Sequence, residues 1–583
     1  MMRILPLLCF IGLVARVAAE LSPPDGGEDL LDRGLLKVQA DPAHATAREI
    51  EGGGWQLNIN RPDEERPHLA QISTGIDLNA LAEGEVVLAI IRARSAAGDA
   101  AVIEAKLQRS DPPYDVLAPP VPLELSGDWQ ELPVVYRVTA AAEKHRATLT
   151  LLCARQLQTV EVSSIRALKY PAGTDTSAFP RIRRTYEGRE PGAAWREAAL
   201  LRIEQLRKSD FSVRVHDADG QALVGKEVVL TLRRHEFGFG SAVTAELLTE
   251  ESEDGRRYRA IVDRLFSRVV FENDLKDFGW EEGAEGRDER LARLDHAFAW
   301  LGERHIAVRG HYLMQNAVPP NLDDLTDPEA IRRHFLETAK ARLDFAKDRV
   351  CEWDVVNHPV GWNGAKLFTA RPGLAELDRE VYGLAQRATA LPFFVNEDQL
   401  FRPGRQSDET FTYLEKLKQA GFRVDGLGNQ AHIDDSYLPS PMQVLEVTDR
   451  FGALAPRQAI TEFDIVTADD EELAADYTRD LMIAAFSHPA YTSFILWGFW
   501  EGRHWKPDAA SWTRDWTARA RAEVLEEWLG RRWTTSVTLT TGKGGIVQWR
   551  GFPGWYEVRV PGDGKTGVFQ VTKAVPSGTV EVP

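Results

Sequence analysis

Seven short apolar runs beyond residue 236 end in side chains suited to chemistry on a sugar. They end as Glu272-Asn273 with Lys276 just beyond, Arg309-Gly310-His311, Asp354-Val355-Val356-Asn357-His358, Asn396-Glu397-Asp398, Gly428-Asn429-Gln430-Ala431-His432, Thr461-Glu462-Phe463-Asp464, and Trp497-Gly498-Phe499-Trp500-Glu501 with Trp505 following. Amides, lysine and imidazoles can hold sugar hydroxyls. Indoles can stack on sugar faces. A pair of carboxyl groups can break a glycosidic bond, one as nucleophile and one as proton donor. One polar residue at the end of a strand means little, because such ends are solvated. Seven ends carrying carboxylates, amides, imidazoles and indoles predict a carbohydrate site, provided the fold brings them together.

The elements that must do so lie between about 236 and 530. There, short apolar runs alternate with longer amphipathic stretches, the pattern of βα units. Candidate strands start near Phe237, Val269, Ala307, Cys351, Phe393, Gly426, Ala459 and Phe494, and the helical pattern covers 287–304, 327–347, 408–420 and 470–487. Eight such units predict a (β/α)8 barrel, whose active sites sit at the C-terminal strand ends.

In order along the chain, the strand-end segments resemble those of glycoside hydrolase family 10, the endo-β-1,4-xylanases. Glu272-Asn273-Asp274-Leu275-Lys276 matches the segment after that family's second strand, and Arg309-Gly310-His311 its third. The segment 353–358 matches the fourth, Gly428-Asn429-Gln430-Ala431-His432 resembles the sixth, and Ile460-Thr461-Glu462-Phe463-Asp464 matches the nucleophile motif of the seventh. Trp497-Gly498 and Trp505 match its aromatic floor. The resemblance implies a retaining hydrolase of internal β-1,4 linkages in a plant-type polysaccharide such as xylan, with no metal and no organic cofactor. It implies that Glu462 is the nucleophile, that His432 and Asp464 orient and polarise it, and that Asn357 touches the sugar 2-hydroxyl. Glu272, Asn273, Lys276, His311 and Gln430 would line the subsite, with Trp497 and Trp505 as platforms.

Two segments depart from the family. Where it has a glutamate acid/base after Asn357, this chain has His358 followed by Pro359; where it continues the third strand with Val-Trp-His, this chain has Met314-Gln315-Asn316. A histidine can give and take a proton near neutral pH. Its Nε2 is as many bonds from Cα as a glutamate oxygen. Three readings follow: His358 is the acid/base; another carboxylate such as Glu397, Asp398 or Glu501 supplies the proton; or the barrel is a catalytically impaired glycan-binding pseudoenzyme. A glycosidase for a different β-glycan is a further alternative.

The flanks are strand-rich. Runs at 86–91, 101–103, 132–136 and 148–152 are separated by Gly, Pro, Asp and Ser, so residues 20–170 read as a β-sandwich resembling jelly-roll carbohydrate-binding modules. A charged helical connector is predicted over 190–208. Two strands, 211–215 and 227–232, follow within a 171–235 segment. Two strands cannot stand alone, and 531–583 holds further strand-like runs. Together they predict a small Ig-like sandwich into which the 236–530 barrel is inserted.

The 583 residues call for several domains, and 43% hydrophobic content is that of a globular chain. A net charge of −18 argues against a nucleic-acid partner. Residues 1–19 read as a signal peptide, with Arg3, an apolar run over Ile4–Val14 and small residues Val17-Ala18-Ala19, which predicts secretion. No later stretch is long and apolar enough to span a membrane. Cys153 and Cys351, the cysteines outside that leader, offer neither a disulfide framework nor metal-ligand spacing.

Overall fold

A computed structural model of the protein describes residues 21–583 except 32–35, 64, 75–77, 97–100, 177–178, 182–183, 318–326, 362–366, 368–370, 372, 468–469 and 563. The expected signal peptide lies outside the described residues. The chain forms two compact units that divide between Arg184 and Thr185.

The first unit is a sandwich of two antiparallel sheets. One is built from Ala45–Glu49, Trp55–Ile59, Gln158–Tyr170, Val86–Ser95 and Gln130–Arg137, with Glu28–Asp29 added on Gln158–Tyr170; the other from Lys37–Ala40, Ala70–Ser73, Ala147–Leu152, Ala101–Arg109 and Val121–Leu125. Along Ala101–Arg109 the alternation is plain: Ala101, Ile103, Ala105 and Leu107 face the core and the residues between them are partly exposed. That period of two is what a sheet with one buried face requires. The strand Gln158–Tyr170 was not legible as a run, because a bulge between Val162 and Ser164 breaks its alternation.

The second unit opens with the helix Ala194–Arg207. Arg196 pairs with the fully buried Asp480, which also accepts from the Tyr186 hydroxyl at 2.8 Å, and Arg207 donates to the carbonyls of Phe486, His488 and Tyr491. The connector is therefore clamped to the helix Glu471–Ser487 through charge-assisted hydrogen bonds. Next, Ser209–His216 pairs antiparallel with Ile546–Gly551 and parallel with Ser577–Glu581. Glu227–His235 pairs with Ser536–Thr540 and Gly554–Arg559, and Thr566–Val571 extends that sheet. The two ends of the unit thus complete one small sandwich, cored by Phe211, Trp549, Tyr556 and Phe569.

Between these strands the chain runs through eight parallel strands, β1 (Gly238–Val243), β2 (Arg268–Phe271), β3 (Ala307–Gln315), β4 (Glu352–Asn357), β5 (Phe393–Glu397), β6 (Gly426–Asn429), β7 (Arg457–Val466) and β8 (Tyr491–Leu496). Each pairs with the next, and β8 pairs with β1, which closes a barrel. Beyond a kink at Ala431, where φ is 60°, His432–Asp434 pairs again with β7. Every residue of β4 and β5 is buried, as expected of parallel strands covered on both faces. Gly310 and Gly426 make room for rings, since a Cβ at either would meet Trp353 or Phe394 within 2.5 Å. Helices Arg287–Glu303, Pro328–Ala346, Leu377–Ala388, Arg405–Gln419, Pro441–Gly452 and Glu471–Ser487 follow successive strands.

Charge is buried inside this wall. Arg309 is fully enclosed. It pairs with Glu352 at 2.6 Å and with Asp354, and Arg268 reaches Glu352 at 2.9 Å. Each buried ion has a partner, the condition under which such groups are tolerated. Among the described residues, no helix is long and apolar enough to cross a membrane. Cys153 and Cys351 are both free thiols.

Candidate active site

All seven strand ends meet at the C-terminal face of the barrel, and Glu462 of β7 lies at their centre. His432 Nε2 is 3.3 Å from its Oε2, and Asn396 Nδ2 donates to its Oε1 at 2.6 Å. His311 Nε2 stands 3.9 Å from Oε1. Burial by itself would raise this carboxyl. The hydrogen bond with His432 and the charges of His311, His432 and His358 outweigh burial and bring it down to about 2. For His432 burial works the other way, but Asp464, bonded to Nδ1 at 2.9 Å, and Glu462 push it up to about 10. The result is an ionised carboxylate held by an imidazolium, which is in turn held by a second carboxylate.

Asp464 has two further partners, Trp505 Nε1 at 2.8 Å and Lys506 Nζ at 3.0 Å. The Lys506 ammonium also sits over the Trp505 ring, 4.4 Å from its centroid. Lys506 was not singled out from the sequence. Its neighbour Trp505 was the only signal, and which residue of that loop turns back to Asp464 is a matter of loop geometry. Trp505 is half exposed and packs edge-on to His432, while the buried Trp497 lies beneath His311 and His432. One indole thus forms a floor and the other a rim.

A row of amides connects β7 to β4. Thr461 Oγ1 donates to Asn396 Oδ1 at 2.6 Å, which turns Asn396 Nδ2 towards Glu462 and towards Asn357 Oδ1, 2.9 Å away. Gln430 Nε2 also donates to Asn357 Oδ1, at 3.0 Å, and faces His358 Nε2 at 3.1 Å. With two donors on its oxygen, Asn357 offers its own amide N–H groups as donors. Asn396 and Thr461 were visible in the sequence only as polar strand-end residues. Their pairing across β5 and β7 is a product of the curved parallel sheet.

His358 follows β4 with φ at 50°, a left-handed conformation that a residue with a Cβ adopts at a cost of about 1–3 kcal/mol and keeps only where its surroundings hold it. Those surroundings are specific. His358 N donates to Asn396 O at 2.8 Å and Gly361 N to His358 O at 3.0 Å; Asn316 Nδ2 holds the Pro359 carbonyl at 2.9 Å. The ring Nδ1 lies 2.9 Å from Glu397 Oε1. Glu397 is fully buried and also accepts from the N–H of Asp398 at 3.0 Å and of Val360 at 3.1 Å. Asn316, a departure from the family pattern, thus pins the turn that carries the other departure.

The remaining predicted residues frame this centre. His311 Nδ1 is 3.0 Å from Asp354, which fixes the ring and presents Nε2 to Glu462. Lys276 stands 5.9 Å from the Tyr312 and Trp497 ring centroids; burial pulls its ammonium down, against the charges of Glu462, Glu272 and Asp277. Glu272 lines a small recess with Tyr258 and Arg503, on the β1 side of the mouth. Asn273 sits in the turn after β2, where its carbonyl accepts from Lys276 N at 3.0 Å. Of the other carboxylates at these strand ends, Glu397 lies behind His358, Asp398 accepts from the Gln399 amide at 3.1 Å, and Glu501 is paired with Arg519 at 2.8 Å.

The family model described as glycosyl hydrolase family 10 matches residues 230–522, half of the chain. The chain belongs to glycosyl hydrolase family 10. Its match to the family spans the barrel and the strand that precedes it. Among curated relatives, the anti-sigma-I factor RsgI6 of Acetivibrio thermocellus is 29% identical over 405 residues, covering 66% of this chain and 50% of that protein. Endo-1,4-beta-xylanase 4 of Arabidopsis thaliana is 25% identical over 319 residues, covering 52% of this chain and 53% of that protein. The chain spans about half the length of these relatives. Among solved structures, xylanase 10B from Thermotoga petrophila RKU-1 in complex with xylobiose aligns with a TM-score of 0.44 and 20% identity, over 51% of this chain and 95% of that one. The CBM22-1–GH10 modules of Clostridium thermocellum Xyn10B, complexed with xylohexaose, align with a TM-score of 0.42 and 14% identity, over 87% of this chain and 98% of that one.

Proposed function

We propose that this family 10 protein is a retaining hydrolase of internal β-1,4 linkages in a plant-type polysaccharide, xylan in the first instance, with His358 in the place of the usual glutamate acid/base. The observation that carries the reading is the state of Glu462: a buried carboxylate kept ionised by His432 and aimed by Asn396 among indoles and amides suited to a sugar. In the first step Glu462 attacks the anomeric carbon, and His358 gives a proton to the departing oxygen. In the second, water attacks the same carbon, Glu462 leaves, and His358 takes the water's proton. Asn357 and His311 hold the sugar's hydroxyls, Trp497 supports its face, and Trp505 and Lys506 stand at the rim. Xylan is favoured by the named xylanases among the relatives. The reading includes export through the 1–19 leader, since such a polymer lies outside the cell, and sugar binding by the N-terminal sandwich.

A second reading, glycan binding without turnover, is favoured by one contact: Gln430 presents an N–H to the His358 nitrogen that would have to carry the acidic proton.

Hydrolysis of an aryl β-xylobioside with a good leaving group, beside unactivated xylan, separates the two. The expected outcome is turnover of both by the wild type, loss of both in Glu462→Ala, and loss of mainly xylan cleavage in His358→Ala, by about 10²–10⁴-fold. Saturable xylo-oligosaccharide binding with no cleavage of either substrate would establish the second reading instead.

A further inference from the structure

The ionised state of Glu462 decides where His358 carries its proton, through a chain of hydrogen bonds in which each link leaves one choice. A carboxylate only accepts, so the Asn396 atom against it is the amide nitrogen. The Thr461 hydroxyl is then left to donate to Asn396 Oδ1. The second N–H of Asn396 goes to Asn357, so the Asn357 atom there is the oxygen. Gln430 meets the same oxygen and must therefore present its nitrogen. This nitrogen is also the atom facing His358 Nε2, at 3.1 Å. Nε2 must then accept, and in the neutral ring the proton is on Nδ1. There it meets Glu397, fully buried, with its oxygens also engaged by the N–H groups of Asp398 and Val360.

We propose that Glu397 is a positioning residue that, with Gln430, holds His358 as the Nδ1–H tautomer and so makes it a resting base rather than a resting acid. The kinetic part of this inference rests on the hydrolase reading above; the tautomer itself does not. In the second step the water oxygen bonds to the anomeric carbon. The bond from that carbon to Glu462 breaks with its electron pair returning to the carboxylate, and the water proton goes to His358 Nε2. The Nδ1–H remains on Glu397, whose charge balances the imidazolium. A carboxylate behind a catalytic imidazole fixes both tautomer and orientation in this way. The acid step asks for more. In both steps the Gln430 N–H must leave Nε2, but the acid step needs it gone, and Nε2 already protonated, before the leaving oxygen departs. Leaving groups that need no proton are therefore the natural strength of this site.

Two measurements on the full chain test it. In protein labelled with ¹⁵N-histidine, the ring signals lost in His358→Asn belong to His358. They are expected to show a protonated Nδ1 and a bare Nε2 near neutral pH in the wild type, and to lose that preference when both holders are removed, in Glu397→Ala with Gln430→Ala. A wild-type His358 carrying its neutral-ring proton on Nε2 overturns the proposal, whether or not any glycan is cleaved. The second measurement is a burst experiment with a dinitrophenyl β-xylobioside. Glu397→Gln is expected to keep the burst, and to keep kcat/KM within about 2-fold. Its steady-state kcat falls about 10–100-fold, the usual effect of losing such a partner, and the glycosyl-enzyme accumulates. Glu397→Asp, which keeps the charge, recovers part of the rate. Loss of the burst in proportion to kcat, with no recovery in Glu397→Asp, would make Glu397 merely structural and overturn its positioning role. A wild type that shows the expected tautomer but cleaves neither substrate would refute the hydrolase reading and leave the tautomer assignment standing.

Discussion

A Cβ placed on Gly428 would stand 2.3 Å from Oδ1 of Asn396, the side chain that aims Glu462, and 2.8 Å from Cγ2 of Thr461, the side chain that aims Asn396. Gly428 on β6 is therefore the space into which the β5 amide fits. Gly428→Ala is expected to displace Asn396 and uncouple Glu462 from Asn357. Overpacking of this kind costs about 1–3 kcal/mol of stability, and a small displacement of a catalytic group costs up to about 10²-fold in rate. Denaturant titration and kcat on the activated glycoside measure the two effects. A variant with wild-type kcat would show that Asn396 does not need that position.

The charge pattern around Glu462 fixes a stability profile. Glu462 is brought down from 4.5 to about 2, so its contribution is complete above 4.5 and is lost as pH falls through about 2. His432 is pushed up from 6.5 to about 10, so its contribution is complete below 6.5 and is lost as pH rises through about 10. Both are present together between 4.5 and 6.5. The thermal midpoint is expected to fall above that window, and His432→Gln to flatten this alkaline decline. An alkaline decline of the same steepness in His432→Gln would place its source elsewhere.

Asp354 holds both Arg309 and His311 inside the barrel wall. Asp354→Ala leaves a fully enclosed guanidinium with one partner and frees the ring that faces Glu462. Removing one member of such a buried network is expected to cost about 3–5 kcal/mol, read from the urea midpoint. Asp354→Asn keeps the hydrogen-bonding shape and is expected to lose less. Equal losses in the two variants would mean that the charge, and not the geometry, is what matters.

The small sandwich depends on both ends of the second unit. Tyr556 is fully buried, donates to the Phe552 carbonyl at 2.7 Å and packs on Trp549 and Phe569. Tyr556→Ala is expected to cost about 3–5 kcal/mol. Removal of 536–583 strips Ser209–His216 and Glu227–His235 of every strand they pair with, and the truncated chain is expected to aggregate when expressed. Soluble truncated protein with a wild-type thermal midpoint would show that the barrel needs no such partner.

Much of this protein was written in local pattern. Alternating apolar runs and amphipathic stretches specified the eight strands and their helices, because strand and helix periodicity answer to nearest neighbours. The segments ending in Glu462, His358, His432 and His311 were recognisable because each chemistry-bearing group lies within a few residues of its strand. The turn-separated runs at 211–232 and 536–571 pointed to a shared sandwich, because neither set could bury its apolar faces alone. Other features could not be read that way. Lys506 reaches Asp464, Asn396 reaches Glu462, Asn316 reaches Pro359 and Glu397 reaches His358 across separations of 39 to 66 positions. Each of these contacts exists only because the parallel strands pair along the curved sheet and set nearby strand ends side by side. A sequence names the groups that can donate or accept a proton; only the pairing of the strands decides which of them face each other, and hence which nitrogen of His358 is left to act.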